Sequence, residues 1–395
     1  ISNLVFRMKK NAVGLATIAI LSSMVLVTLV GAASIYAGKK DYLASSAPHD
    51  YSVSGNKVDL TSTKKLMDDF LIKTGEQANE EVAVSYLLFG IKNQETNKLT
   101  VFTKNERKVV PKSIVLVFSQ ETFKQLTGKE LNLSSNQIAL YTKNKTLKTQ
   151  KSLSIDGKNY QIHRQIGDFI NKKVPNIYKI IVSDYSYLVV PDIKIFESSM
   201  KGTSIAQATY VGVNVKDPTH DAKKNSDLLD KLTDKETQQL AGQTTGVPGP
   251  NLTANSRYDV EGMLNGFVGG TFFIGIFLSI IFMLGTVLVI YYKQISEGYE
   301  DRERFVILQK IGLDDLQVKQ TIRKQVLTVF FLPLIFAFIH LAFAYHMISL
   351  IVRIIGVLNP DLMLVVTIIV CGVFFLAYIM VFVLTSRSYR RIVSM

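Results

Sequence analysis

Few residues in this chain have the type and spacing for covalent or metal chemistry. Its histidines are His49, His163, His220, His340 and His346, and its one cysteine is Cys371. No H-E-x-x-H, C-x-x-C, G-x-S-x-G or G-x-x-x-x-G-K-[ST] pattern occurs, so zinc hydrolysis, dithiol chemistry, an acyl-enzyme nucleophile and a phosphate loop all lack their residues. The expectation is a chain with no catalytic residue, no metal site and no cofactor of its own. His340 and His346 lie in a long apolar stretch. Ionisable groups there are functional candidates by default. Six residues apart, they fall on different helix faces, and the expectation is two neutral rings bonded to neighbouring helices. Cys371 sits in a second such stretch and reads as a small apolar residue.

The chemistry on offer is that of docking. Residues 293–324 hold 13 charges, seven basic and six acidic. They read as two helices. The first covers 297–310, with Phe305, Leu308 and Ile311 on one stripe. Gly312 stands where a helix ends in a left-handed residue. Asp314 caps the second helix, with Gln317 in the box position, and that helix runs on into apolar sequence. A docking element and a solvated loop are the two readings, and the apolar stripe favours docking. A DNA-binding helix-turn-helix is excluded by near-neutral charge and by anchoring at both ends. A second signal is Gly262-x-x-x-Gly266-x-x-x-Gly270, with Gly269 and Gly275 nearby. Glycines four apart either offer a flat face for helix packing or make a flexible approach to the membrane. A third is the stretch before residue 11, where Leu4, Val5 and Met8 alternate with Asn3, Arg7, Lys9 and Lys10, as at the end of an interfacial amphipathic helix.

The elements that must position these residues follow from composition. Of 395 residues 48% are apolar and 19% charged, with a net charge of +13 and a mean hydropathy of +0.21. Soluble domains carry about 25% charge. With 22 Phe and 17 Tyr the chain is not disordered, and one cysteine rules out a disulfide scaffold. Four stretches carry no charge: 28 residues between Lys10 and Lys39, 31 between Glu261 and Lys293, 28 between Lys324 and Arg353, and 25 between Asp361 and Arg387. A spanning helix needs about 20 apolar residues. The first stretch is too long for a signal-peptide core, so a retained span is expected. The chain opens on Ile1 rather than Met, which suggests a trimmed piece of a longer protein.

Lys and Arg near the helix ends set the orientation. Three precede the first span, seven lie in 293–324 and three follow the last span, whereas 352–360 holds only Arg353. The expected organisation is a membrane protein with four transmembrane α-helices and a large extracytoplasmic α+β domain between helices one and two. Its parts are a cytoplasmic flank (1–11), spans at 12–37, 262–292, 325–352 and 362–386, the outer domain (38–261), cytoplasmic helices (293–324), a short outer turn (353–361) and a cytoplasmic tail (387–395).

Within the outer domain, 66–74 reads as helix, with Ser62 or Thr63 as its cap. Strands are expected at 81–91, 99–103, 113–118, 178–182 and 209–215. Ser119 starts a short helix ended by Gly128. Asp156-Gly157 between 152–155 and 159–163 is a hairpin signal. Residues 217–240 read as an amphipathic helix, and 242–251, with Gly246, Pro248, Gly249 and Pro250, as a linker. The absence of cysteine from this domain suits a bacterium without disulfide machinery at its outer face.

Arg302-Glu303-Arg304-Phe305-x-Ile307-Leu308-x-Lys310-Ile311-Gly312, following the second span, resembles a motif of the FtsX-like/MacB-type permeases of ABC transporters. The strings Tyr291-Tyr292-Lys293-Gln294-Ile295-Ser296-Glu297-Gly298-Tyr299-Glu300-Asp301 and Val326-Leu327-Thr328-Val329-Phe330-Phe331-Leu332-Pro333-Leu334 are similar to the Bce-type branch, permeases of peptide-antibiotic resistance. The layout of span, outer domain and three spans matches the C-terminal part of that ten-span family. Either a fragment or a complete four-span permease fits. Gln325 stands near where MacB-type modules usually carry Glu.

The resemblance implies a non-catalytic permease in the plasma membrane of a Gram-positive bacterium. A separate ABC ATPase, acting as a dimer, would use ATP and Mg. Phe305, Ile307 and Leu308 would pack into its groove, Arg302, Glu303, Arg304 and Lys310 would form rim ion pairs, and Gly312 would set the turn. The outer domain would engage a peptide antibiotic or its complex with a lipid carrier, and a membrane histidine kinase would be signalled. The alternative within the family is an FtsX-like transmitter that controls a cell-wall hydrolase or extracts lipoproteins. From another class, a receptor or adhesin without an ATPase is disfavoured by the charged helix pair. No nucleic-acid partner is implied.

Overall fold

The structure, a computed structural model, describes residues 2–104, 106, 111–175, 182, 184–241, 249–310, 315–355, 357 and 359–393. For 2–11, 241, 297, 300–301, 303–306, 308–310, 315–326, 328–329 and 386–393 the description is of backbone only. In chain order the first elements are α1 (Ser2–Ser46), β1 (Tyr51–Asn56), α2 (Leu60–Thr74), β2 (Ala78–Glu95), β3 (Lys98–Val101), β4 (Ser113–Ser119), α3 (Gln120–Thr127), β5 (Gln137–Thr142) and α4 (Lys145–Lys148). They are followed by β6 (Ser152–Ile155), β7 (Lys158–Gln165), β8 (Asp184–Val190), α5 (Ile193–Ser199), β9 (Ile205–Val215), α6 (Ala222–Ala241), β10 (Asn251–Ser256), α7 (Arg257–Lys310), α8 (Asp315–Ile354) and α9 (Pro360–Val393). Two compact units result: Lys40–Leu264, and Ile1–Lys39 together with Asn265–Met395.

The helical unit contains the apolar stretches. Four helices are long and apolar enough to cross a membrane, over Ala12–Ser46, Arg257–Ser296, Phe330–Ile354 and Pro360–Thr385. A helix suits such sequence because it satisfies its own backbone where no water can. α7 has 54 residues, about 80 Å at 1.5 Å per residue, far more than a bilayer core of about 30 Å. The expected separate helix at 297–310 is therefore an unbroken continuation of the second apolar helix. No Pro occurs at the junction, and Gly298 is carried within the helix without ending it. In α8 and α9, Tyr378 donates to the Phe330 carbonyl at 2.9 Å, and the rings of Phe330, Tyr378 and Phe382 stack edge-on around that bond.

The other unit is an α+β domain built on a ten-stranded sheet in the order β10-β1-β9-β2-β3-β6-β7-β5-β8-β4. β4 also pairs with β2, which closes the last seven strands into a ring. The long β2 makes this closure. It holds β9 and then β3 along one edge and β4 along the other. One alternating set of side chains from every ring strand meets in a single core, including Phe89, Leu99, Val115, Leu140, Leu153, Tyr160 and Leu188, with Phe196 of α5 packed among them. The opposite set, with Tyr86, Leu116, Phe118, Tyr185 and Tyr187, packs on Leu126 of α3 and on Ile170 and Val174. The period of two in the strands thus serves two cores.

Local signals explain several elements. The Asp156-Gly157 turn has both residues at positive φ, 50° and 83°, and β6 and β7 pair antiparallel around it, as a primed turn requires. Ser119 caps α3, and Gly128 ends it in the left-handed conformation. α2 begins at Leu60, earlier than expected. Asp59 is the cap instead of Ser62 or Thr63, because its carboxylate accepts from the Ser62 amide at 2.9 Å and from the Ser62 hydroxyl. α6 begins at Ala222 rather than at Asp217. The Asp217 carboxylate accepts from the amides of Thr219 and His220, folding a local turn that competes with the helix. The expected linker at 242–251 lies outside the described residues over 242–248, and its end is not a linker. Asn251 opens β10, which pairs along β1. The strand expected at 178–182 lies outside the described residues except for Val182. β3 stops at Val101, and Thr103 contributes one bridge to Thr203.

Candidate functional site

The docking stripe inferred from sequence is carried on the far end of α7. Helical geometry continues through Lys310 and resumes at Asp315 in α8, which runs into its own apolar stretch. Phe305 and Leu308 are thus three residues apart on continuous helix, a spacing that shares a face. Arg302 and Ile307 are exposed, Ile307 at 57%. The side chains of Glu303, Arg304, Phe305, Leu308 and Lys310, and the whole of Gly312, Asp314 and Ile311, lie outside the described residues.

At Gly262, Gly266 and Gly270 a Cβ would meet nothing within 4 Å. Close helix approach falls one turn further along. A Cβ on Gly275 would lie 2.3 Å from the Cβ of Ala32 in α1. Beside this contact Thr28 and Ser279 share a hydrogen bond of 3.0 Å, and Tyr36 stacks on Phe272 with centroids 4.6 Å apart. Small residues that let two backbones approach are the usual basis of packing in membranes. A glycine run alone does not say which glycine faces the partner helix.

His340 reaches a neighbouring helix, with its Nδ1 3.0 Å from Ser23 Oγ. The Ser23 hydroxyl gives its proton to the Ala19 carbonyl, so the His340 ring donates. His346 is exposed near the end of α8, and the two histidines are not brought together.

A second cluster, at the base of the sheet domain, escaped the sequence reading. There the residues after α1 meet the first residue of α7. Arg257 Nε donates to the Ala47 carbonyl at 3.1 Å and an Nη to the Pro48 carbonyl at 3.0 Å, while its amide donates to Asp50 O at 2.9 Å. Its guanidinium also lies 3.6 Å from the Asp50 carboxylate. Asp50 in turn accepts from the Val215 amide at 3.0 Å, and its own amide donates to Asn214. Asn214 bonds Glu80 of β2. His49 Nδ1 lies 2.7 Å from the Tyr210 hydroxyl. Gly212 is needed here, since a Cβ would lie 2.4 Å from His49 Nδ1. Burial pushes the His49 pKa down and the Tyr210 pKa up, so both rings are held neutral. One signal was available in sequence. The 31 cations of 38–261 include only three arginines, and Arg257 lies four residues before Glu261, where the charge-free stretch begins. Arg alone offers a planar fork able to bond several carbonyls at once.

Among the described residues no catalytic set comes together. What they do show is one uninterrupted helix from Arg257 to Lys310, and a cluster that ties the two polypeptide connections of the sheet domain together.

Comparison with known proteins gives three relatives from Bacillus subtilis (strain 168). The ABC transporter permease protein YxdM is 36% identical over 72 residues, 18% of this chain and 12% of its own length. The uncharacterized ABC transporter permease YvcS is 29% identical over 121 residues, 31% of this chain and 18% of its own. The bacitracin export permease protein BceB is 27% identical over 140 residues, 35% of this chain and 19% of its own. The chain thus spans less than a fifth of the length of each of these relatives in the match. No family model matches. A solved lipoprotein from Bacillus anthracis covers 44% of this chain at 15% identity with a TM-score of 0.25, a level from which nothing about the fold follows. With four helices able to span a bilayer and an α+β domain between the first two, the chain is a multi-pass plasma-membrane protein similar to ABC transporter permeases, the bacitracin export permease among them.

Proposed function

We propose that this chain is permease material of an ABC transporter that clears cell-envelope-targeting peptide antibiotics, driven by a separate cytoplasmic ATPase. The observation that carries the reading is the 54-residue helix α7. A passive anchor needs only enough helix to cross the bilayer. Here the helix continues for about four further turns with alternating charges and apolar positions, then returns through α8. An ATPase that grips this projection moves the helix as a rigid body, and the motion arrives at the base of the sheet domain, where α7 begins at Arg257. The sheet domain, outside the cell, engages the peptide or its complex with a lipid carrier. Phe305, Ile307 and Leu308 seat in the ATPase, and Arg302, Glu303, Arg304 and Lys310 form the rim. ATP and Mg belong to the ATPase, and a histidine kinase is a further partner in signalling. Similarity to the bacitracin export permease supports the substrate class.

The test is the susceptibility of a strain lacking this gene to bacitracin, nisin and lipid-carrier binders. Several-fold sensitisation to at least one supports the reading. Unchanged susceptibility together with a defect in cell separation overturns it in favour of a transmitter acting on a cell-wall hydrolase.

A further inference from the structure

α1 and α7 keep one antiparallel register from Gly14 and Lys293 to Lys39 and Asn265. Gly14 faces Lys293, with a Cβ on the glycine 3.4 Å from Lys293 Cδ. Leu21 faces Gly285 at 3.5 Å and Ala32 faces Gly275. Thr28 bonds Ser279, Tyr36 stacks on Phe272, and Lys39 donates to Asn265. From Gly14 to Lys39 α1 advances 25 residues while α7 retreats 28, from Lys293 to Asn265. The α1 positions recur in steps of seven, four and three, the spacing of a single helix face in a paired helix.

Both backbones remain helical beyond the last of these contacts, α1 back to Ser2 and α7 on to Lys310. Carried on by four, seven and ten residues from Gly14 and Lys293, the same face holds Lys10, Arg7 and Leu4 on α1 and Glu297, Glu300 and Glu303 on α7. Lys10 and Arg7 thus come level with Glu297 and Glu300, and Leu4 with Glu303. Helices carrying opposite charge at facing positions support pairing, and like charges there oppose it.

We propose that the first turns of α1, residues 2–10, form part of the ATPase-docking element, running antiparallel beside the 297–310 extension of α7. The inference rests on the ATPase-driven reading given above. The element gripped by the ATPase is then a pair of helices continuous with a pair of spans. Residues before the first span contribute to docking as much as those after the second.

The placement is tested first, without the ATPase. In membranes containing the full chain with Cys371→Ala, the pair Leu4→Cys and Glu303→Cys is oxidised alongside Thr28→Cys and Ser279→Cys. Both pairs should give an intramolecular crosslink, and Leu4→Cys with Gly285→Cys should give none. A crosslink at 28/279 with none at 4/303 overturns the proposal. Docking is tested by co-purification of the ATPase with the full transporter. Arg7→Glu should lower recovery several-fold, and Arg7→Glu combined with Glu300→Arg should restore it. If Arg7→Glu leaves recovery unchanged while Phe305→Ala lowers it, the ATPase reading stands and the role of residues 2–10 falls. If neither variant lowers recovery, both fall.

Discussion

Gly275 faces Ala32 so closely that a Cβ on the glycine would sit 2.3 Å from the alanine Cβ. That contact fixes how near α1 and α7 can lie. Overpacking a tight contact costs about 1–3 kcal/mol. Gly275→Leu should therefore lower the thermal stability of the purified full chain in detergent, whereas Gly270→Leu, at a position open to at least 4 Å, should leave it nearly unchanged. Equal melting temperatures for the two variants would contradict the close approach.

Arg257 closes the base of the sheet domain through two carbonyls and Asp50. Its side chain is 35% exposed and that of Asp50 11%, so the ion pair itself is partly screened. The hydrogen bonds to Ala47 and Pro48 carry most of the effect. Arg257→Ala leaves those carbonyls short of a donor, at a cost of about 1–3 kcal/mol. Amide hydrogen exchange should accelerate at Val215 and along β1 and β10, and Arg257→Lys should rescue little, because an ammonium cannot reproduce the fork. Exchange unchanged at Val215 in the alanine variant would show that the cluster is not coupled.

His49 makes the same base sensitive to acid. Burial lowers its pKa from 6.5, opposed by Glu80 and Asp50 and assisted by Arg257. A base whose folded pKa is depressed binds protons more readily when unfolded. Its contribution to stability is complete above the unfolded value of 6.5 and is lost as pH falls from there towards the lower folded value. Protonation also sets a positive charge beside the buried Tyr210 hydroxyl. Between about pH 7 and pH 5 the sheet domain should lose protection from exchange around Gly212, and His49→Gln should flatten that dependence. An identical pH profile in the variant would assign the sensitivity to other groups.

How much of this could be read from sequence depends on the range of the interaction. The four apolar helices were legible because a bilayer imposes one length on every helix that crosses it. The β6–β7 hairpin was legible because Asp156 and Gly157 fix the turn by themselves. By contrast, nothing near Leu87 announces that β2 pairs with three strands and closes a ring, since its partners Val117 and Gln207 are remote in sequence. Arg257 bonds backbone carbonyls, which leave no trace in side-chain pattern. The start of α6 was misplaced because Asp217 has two local uses for its carboxylate, and the turn won over the helix. In the docking segment the helical periodicity was legible, but its continuity with the span depended on the absence of a stop signal, which is harder to recognise than its presence.

That continuity gives the last prediction. Ser296 is exposed and stands where α7 leaves its apolar stretch. A proline there removes one helical hydrogen bond and clashes with the preceding turn, at a cost of about 3 kcal/mol within a helix. No buried packing is lost with the serine side chain, so the chain should still insert in the membrane. Under the proposed function, Ser296→Pro should leave the ATPase bound, because residues 297–310 are intact, yet abolish antibiotic resistance, because bending the helix dissipates the motion. Phe305→Ala should do the opposite at the level of binding. Loss of an aromatic anchor weakens association by about 1–3 kcal/mol, and Arg302→Ala at the exposed rim should cost less and act mainly on salt dependence. Co-purification of the ATPase and resistance in cells, measured for all three variants at matched membrane abundance, separate the two roles. Full resistance with Ser296→Pro would mean that the cytoplasmic segment works independently of the helix that carries it, and the lever reading of α7 would be wrong.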